Sequence, residues 1–174
     1  MKRCRLLLSV GLLLALTCRL AAAQPQPAGE PDVKAQIVYR VLLFVTWPPE
    51  RLPAAQPLDL CFFDDDPLSD ALARLSGQPV HGRALRVRKV ALEHAANCHA
   101  VYVGHRAEAA VAQARSKAVL LVGDSLGLVE QGVMLNLQTE GGRVGFDVGL
   151  SAARRAGLQF SAKLLRLARY VKDD

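Results

Sequence analysis

Aromatic residues are scarce in this chain of 174, at 5%: one tryptophan, three tyrosines and five phenylalanines. Too few are available to form a stacking platform for bases, and the basic residues are scattered, so no nucleic-acid partner is expected. The glycine patterns GxGxxG and GxxxxGK[ST] are absent, which removes the main support for a dinucleotide or nucleoside-triphosphate site. No HExxH pair and no repeat of solenoid period occurs. Gly123-Asp124-Ser125-Leu126-Gly127 is not read as a nucleophile elbow. Cysteine is also sparse, with four in the whole chain.

The first residues read as an export signal. Met1-Lys2-Arg3-Cys4-Arg5 is a charged start, Leu6 to Leu16 an apolar run, and Ala21-Ala22-Ala23 supplies small residues for cleavage before Gln24. The apolar run is short and soon interrupted by Arg19, which disfavours a stable bilayer span. A lipoprotein reading would use Cys18, but Leu16-Thr17 is a poor lipobox. Taking 23 residues from 174 leaves 151, a length suited to one domain. Four of the 22 bases leave with the leader, so 18 remain against 16 acids and net charge falls from +6 to +2. The basic balance is thus partly a property of the leader. Cys61 and Cys98 are the two cysteines left after cleavage. In an oxidising compartment an even pair suggests a disulfide, the alternative being two buried thiols on neighbouring strands.

Gln24 to Asp32 reads as a proline-rich tether, and residues 33–174 as one domain. Ile37, Val38, Val41, Leu42 and Val45 recur at helical spacing from Val33 to Thr46, and Trp47-Pro48-Pro49 ends that helix. Strands are expected at Leu58 to Phe63, Leu85 to Val90, Cys98 to Val103 and Ala118 to Val122. Helices are expected from Asp66-Pro67 to Leu75, near Glu93 to Ala96, and from Ala107 to Lys117. Val133 to Thr139 and Arg143 to Val148 form an antiparallel hairpin about Glu140-Gly141-Gly142. Ser161 to Val171 reads as a terminal amphipathic helix. The fold class is α/β: a single three-layer domain with a mostly parallel central sheet, the hairpin and the terminal helix.

Two constellations invite chemistry. Asp64-Asp65-Asp66 follows a strand, where open α/β sheets place ligands. Mg2+ or phosphoryl acceptance is one reading, a turn with a helix cap the blander one. A phosphoryl receiver would need an acid at Val103-Gly104-His105, where none stands. His94, Cys98, His99 and His105 lie close in sequence, but their spacing is not that of a zinc site, so no metal and no cofactor are expected. Arg154, Arg155, Ser161, Lys163 and Leu164 instead suggest an electropositive docking surface, against the plainer reading of a solvated helix face. Trp47, Asp64 and Asp65 mark an alternative small-molecule pocket.

The order VTWP (Val45 to Pro48), LDLCFFDDDP (Leu58 to Pro67), NCHAVYVG (Asn97 to Gly104), LLVGDS (Leu120 to Ser125), GVMLNLQTEGGRVGFDV (Gly132 to Val148) and SAKLLRLARYV (Ser161 to Val171) resembles the YfiR family of exported bacterial proteins. That resemblance implies a periplasmic, non-enzymatic domain that binds the periplasmic region of an inner-membrane diguanylate cyclase and represses cyclic di-GMP synthesis. It also implies homodimerisation, disulfide control, and sequestration by an outer-membrane peptidoglycan-associated lipoprotein. Cys61 and Cys98 match the family's cysteine-bearing positions, while a second mature pair is absent here. Asn136, Arg143, Phe146, Ser161, Lys163 and Leu164 match its C-terminal pattern. The family domain also occurs as a sensor module, which keeps small-molecule binding open.

Overall fold

The computed structural model describes residues 28–53, 56–114 and 117–174. The expected export signal and the first four residues of the expected tether, 24–27, lie outside them. Helix α1 (Glu30–Leu42) starts inside that tether. Pro31 suits a first helical turn, and Glu30 and Asp32 place negative charge at the positive end of the helix dipole. Ala35, Val38, Val41 and Leu42 form its buried stripe. It stops four residues before the expected end, because β1 (Val45–Thr46) is drawn into an antiparallel pair with β9 (Gln159–Phe160).

The main sheet begins with β2 (Leu58–Phe62), buried throughout. Helix α2 (Pro67–Ala73) follows, capped by Asp66: its carboxylate accepts from the Ser69 amide at 2.7 Å, and the Ser69 hydroxyl accepts from the Asp66 amide at 2.8 Å. Short β3 (Pro79–Val80) turns into β4 (Arg83–Lys89), and a 3₁₀ turn (Leu92–Asn97) leads into β5 (Ala100–Tyr102). Helix α3 (Ala107–Ala114) precedes β6 (Leu120–Gly123), and β7 (Leu135–Glu140) pairs with β8 (Arg143–Gly149). With Tyr170–Lys172 as β10, the strand order is β10-β8-β7-β6-β5-β2-β4-β3. Strands β4, β2, β5, β6 and β7 run parallel, and β8 returns antiparallel to β7. Gly141 and Gly142, both at positive φ (56° and 74°), close that hairpin with a turn whose twist matches its strands.

Alternate strand residues serve opposite faces. Leu58, Leu60 and Phe62 join α1 and α2 in one apolar cluster, whereas Cys61, Val101, Val103 and Leu121 meet α3 in another. On that second face Cys61 and Cys98 form a disulfide, both fully buried, which ties β2 to the start of β5.

The C-terminus departs from the expected long amphipathic helix. After α4 (Leu150–Arg155), only Ala162–Leu165 is helical, as α5, and Tyr170–Lys172 forms a strand, β10, parallel to β8. The physical reason is the free edge of β8, which offers backbone partners to a β-forming Tyr170-Val171 pair. The Arg169 amide already donates to the Phe146 carbonyl at 2.9 Å. Of the expected apolar face, Leu164 is buried at 1% exposure, while Leu167 stands 61% exposed.

Candidate functional site

Three regions hold the residues singled out from the sequence, and the fold keeps them apart. Trp47 lies at the amino ends of the central strands. Its indole nitrogen donates to the His99 carbonyl at 2.9 Å, and its ring lines a cavity of about 400 Å³ with Leu52, His81 and Arg83. His99 is buried beside it. Its Nδ1 accepts from the Asp59 amide at 2.9 Å, so Nε2 carries the hydrogen and donates to the Arg51 carbonyl at 3.1 Å. Burial pushes the His99 pKa below its ordinary value, against the upward pull of the Arg51 carbonyl.

Asp64, Asp65 and Asp66 stand at the opposite, carboxyl end of β2. Trp47 therefore lines one cavity, and Asp64 and Asp66 a separate recess. The chain leaves β2 for β4 on one side and returns as β5 on the other, so the β2–β5 crevice is a topological switch point. Here Asp64 forms a two-armed pair with Arg106 (2.7 and 2.9 Å), which holds its carboxyl below the ordinary range. Asp65 pairs with Lys89 at 2.5 Å. The Tyr102 hydroxyl lies 3.0 Å from Asp66 and 3.1 Å from Asp124, its one hydrogen shared between two carboxylates. Burial and then those two charges push its pKa strongly upward. Lys34 on α1 completes the clasp, 3.3 Å from Asp124 and 2.9 Å from Glu30. Each carboxylate is already partnered, and no group of three metal-ligating side chains occurs among the described residues.

Ser125, next to this clasp, does have glycines two residues before and after it. The rest of a nucleophile elbow is missing: β6 runs into turns rather than a helix, and no histidine hydrogen-bonds Ser125 among the described residues. Its backbone carbonyl instead accepts from Asn136 at 2.8 Å. His105 lines the same small recess without such a bond. Cys98, read with His94 and His105 as a weak metal motif, is committed to the disulfide.

The third region is an apolar groove of about 540 Å³ between α1, β8 and α5. Leu164, Phe44 and Phe146 form its inner wall, and Val33, Ile37 and Leu167 its open rim. Ser161 caps α5 by accepting from the Leu164 amide at 3.2 Å, which aims Leu164 inward. The Lys163 ammonium sits 5.4 Å from the centre of the Phe44 ring, a cation held over an aromatic face at the groove's edge. Arg154 and Arg155 project from α4 away from this groove. Arg154 pairs with Asp173, and Arg155 borders a separate cavity. Thus Ser161, Lys163 and Leu164 converge while the two arginines do not. Arg143 is exposed at the hairpin tip.

Sequence reasoning missed the α1 half of the groove. The signal was present: Val33, Ile37 and Phe44 make a second apolar stripe beside the core stripe of α1, more apolar surface than one core contact requires. The Tyr102 clasp left no such trace, because its members come from α1 and three strand ends.

No helix among the described residues is long and apolar enough to cross a membrane. Comparison with curated protein sequences finds no match. A conserved domain protein of Vibrio cholerae, known from a crystal structure, has a similar fold: TM-score 0.53 and 14% identity over 80% of this chain. This chain spans 60% of that protein. The profile of the YfiR/HmsC-like family matches residues 31–169. That match covers nearly all of the described fold, and the chain belongs to the YfiR/HmsC-like family.

Proposed function

We propose that this protein is an exported periplasmic regulator that acts by binding. It docks on the periplasmic region of an inner-membrane diguanylate cyclase and lowers cyclic di-GMP. Family membership supports the regulatory role, and the apolar groove carries the choice of surface. Water-exposed Leu167 and Val33 beside inward Leu164 and Phe146 offer an anchor site, and Lys163 and Arg40 give it a basic rim. Repression follows if the groove binds the inactive conformation of the sensor region more tightly than the active one. An outer-membrane peptidoglycan-associated lipoprotein that competes for the regulator would relieve it, and a homodimer is the expected form.

A second reading, a small-molecule sensor, draws on the cavity under Trp47, where Arg83 and His81 border an aromatic wall. Deleting the gene in a cyclase-competent strain is expected to raise cyclic di-GMP and biofilm. Complementation with Leu167→Glu/Lys163→Glu should restore little repression, whereas Arg154→Glu, outside the groove, should restore it. Unchanged cyclic di-GMP on deletion would sink the repressor reading. Full complementation by the groove variant would move the docking surface elsewhere.

A further inference from the structure

A cavity of about 510 Å³ opens between α3, the loop before β7, and α4, remote from the groove. Its volume falls within the roughly 300–1,000 Å³ typical of small-molecule sites. Val111, Leu121 and Met134 make an apolar floor. The walls are open because Ala114, Ala152 and Ala156 stand where longer side chains would meet. Gly132 keeps the mouth clear: its φ is +100°, and a Cβ there would press to 3.3 Å from Val111.

Two charges border the mouth, Glu130 and Arg155. Glu130 is neutralised by an ion pair with Lys172 of β10. Gln131 adds a neutral polar group to the lining, and Arg155 has no carboxylate within ion-pair distance among the described residues, so its guanidinium is the uncompensated charge beside the apolar floor. We propose that this cavity binds a small amphiphile with a single carboxylate, its apolar chain on Leu121 and Met134 and its headgroup in a two-armed bond to Arg155. The fork geometry selects a planar carboxylate, and the cationic mouth rejects an ammonium of the same chain length.

Sodium octanoate is the probe, titrated into the mature protein and followed by calorimetry and by amide chemical shifts. Octanoate should bind and shift resonances of Val111, Met134 and Ala152. Arg155→Gln should weaken it about ten-fold or more, as expected for loss of a charged hydrogen bond. Ala156→Leu should abolish binding by filling the space, and octylammonium should not bind. Arg155 is exposed, so its variant keeps the fold and remains informative even if Ala156→Leu unfolds. Equal affinity for octylammonium, an unaffected Arg155→Gln, shifts confined to Ile37, Phe44 and Leu167 of the groove, or no binding at millimolar octanoate would each overturn the assignment.

Discussion

His99 is the residue through which acid reaches the core. Both ring nitrogens are satisfied in the neutral form, and a second proton would fall on Nδ1, breaking the bond from the Asp59 amide. Arg51 and Arg83 on neighbouring segments oppose that proton, and Asp59 favours it. The folded pKa is lowered, so in the window below the ordinary value of about 6.5 the unfolded chain binds the proton first. Stability is full above that pH and falls as pH drops toward the folded value. The lowered carboxylates Asp59, Asp64 and Glu30 make their contribution in a lower window, below about pH 4.5. The urea midpoint, read from the single Trp47, should therefore decline between pH 7.5 and 5, and His99→Gln should flatten that decline while losing about 1 kcal/mol at pH 7.5. Identical slopes in both proteins would remove His99 from the account. At this scale the sequence is readable where partners are local: Asp66-Pro67 announces its own cap. That Trp47 stands apart from Asp64 and Asp65 could not be read there, because strand direction decides which end of the sheet each reaches.

Elements were legible where periodicity and turn chemistry agree. The run Leu58 to Phe62, the capped α2 and the Gly141-Gly142 hairpin form as their residues dictate. The terminal segment misleads because Leu164, Leu165, Leu167 and Ala168 have helical spacing, yet the decisive partner is the edge of β8, some twenty residues earlier. Local propensity favours continuing the helix; tertiary pairing ends it after one turn. β10 should thus be a stabilising edge, not a frayed tail. Truncation after Arg169 removes its ladder, the Lys172–Glu130 pair and the Asp173–Arg154 pair, both exposed and each worth little. The expected loss is about 1–2 kcal/mol, mostly from the ladder and the packing of Val171. It would be measured as a lower urea midpoint with a retained near-ultraviolet spectrum. An unchanged midpoint would mean that β10 contributes nothing.

On the scale of the whole molecule, the main sheet extends to both sides of β2, and the Cys61–Cys98 bond ties β2 to the chain entering β5, at the junction of the two sides. Its closed loop has a sequence separation of 37, and chain-entropy arithmetic for such a loop gives about 4 kcal/mol at most. That is a large share of the roughly 5–15 kcal/mol typical of a domain. The parallel order β4-β2-β5 offers no hairpin to hold these strands together, since each pairing is made by a distant crossover. The cross-link therefore acts where the chain has least local help, and both sulfurs are sealed from solvent by the α3 layer. Two outcomes follow for the same chain measured oxidised and reduced. The reduced form, prepared by unfolding with reductant and refolding, should keep the fold but unfold at a urea midpoint lower by the equivalent of about 2–4 kcal/mol. Reductant added to the native protein should act slowly, at the rate of opening, because no thiolate can reach the bond in the closed state. Comparing redox forms rather than cysteine variants leaves the side-chain volume in place, so the difference isolates the cross-link from any cavity. Coincident midpoints would show that the crossovers alone hold the junction.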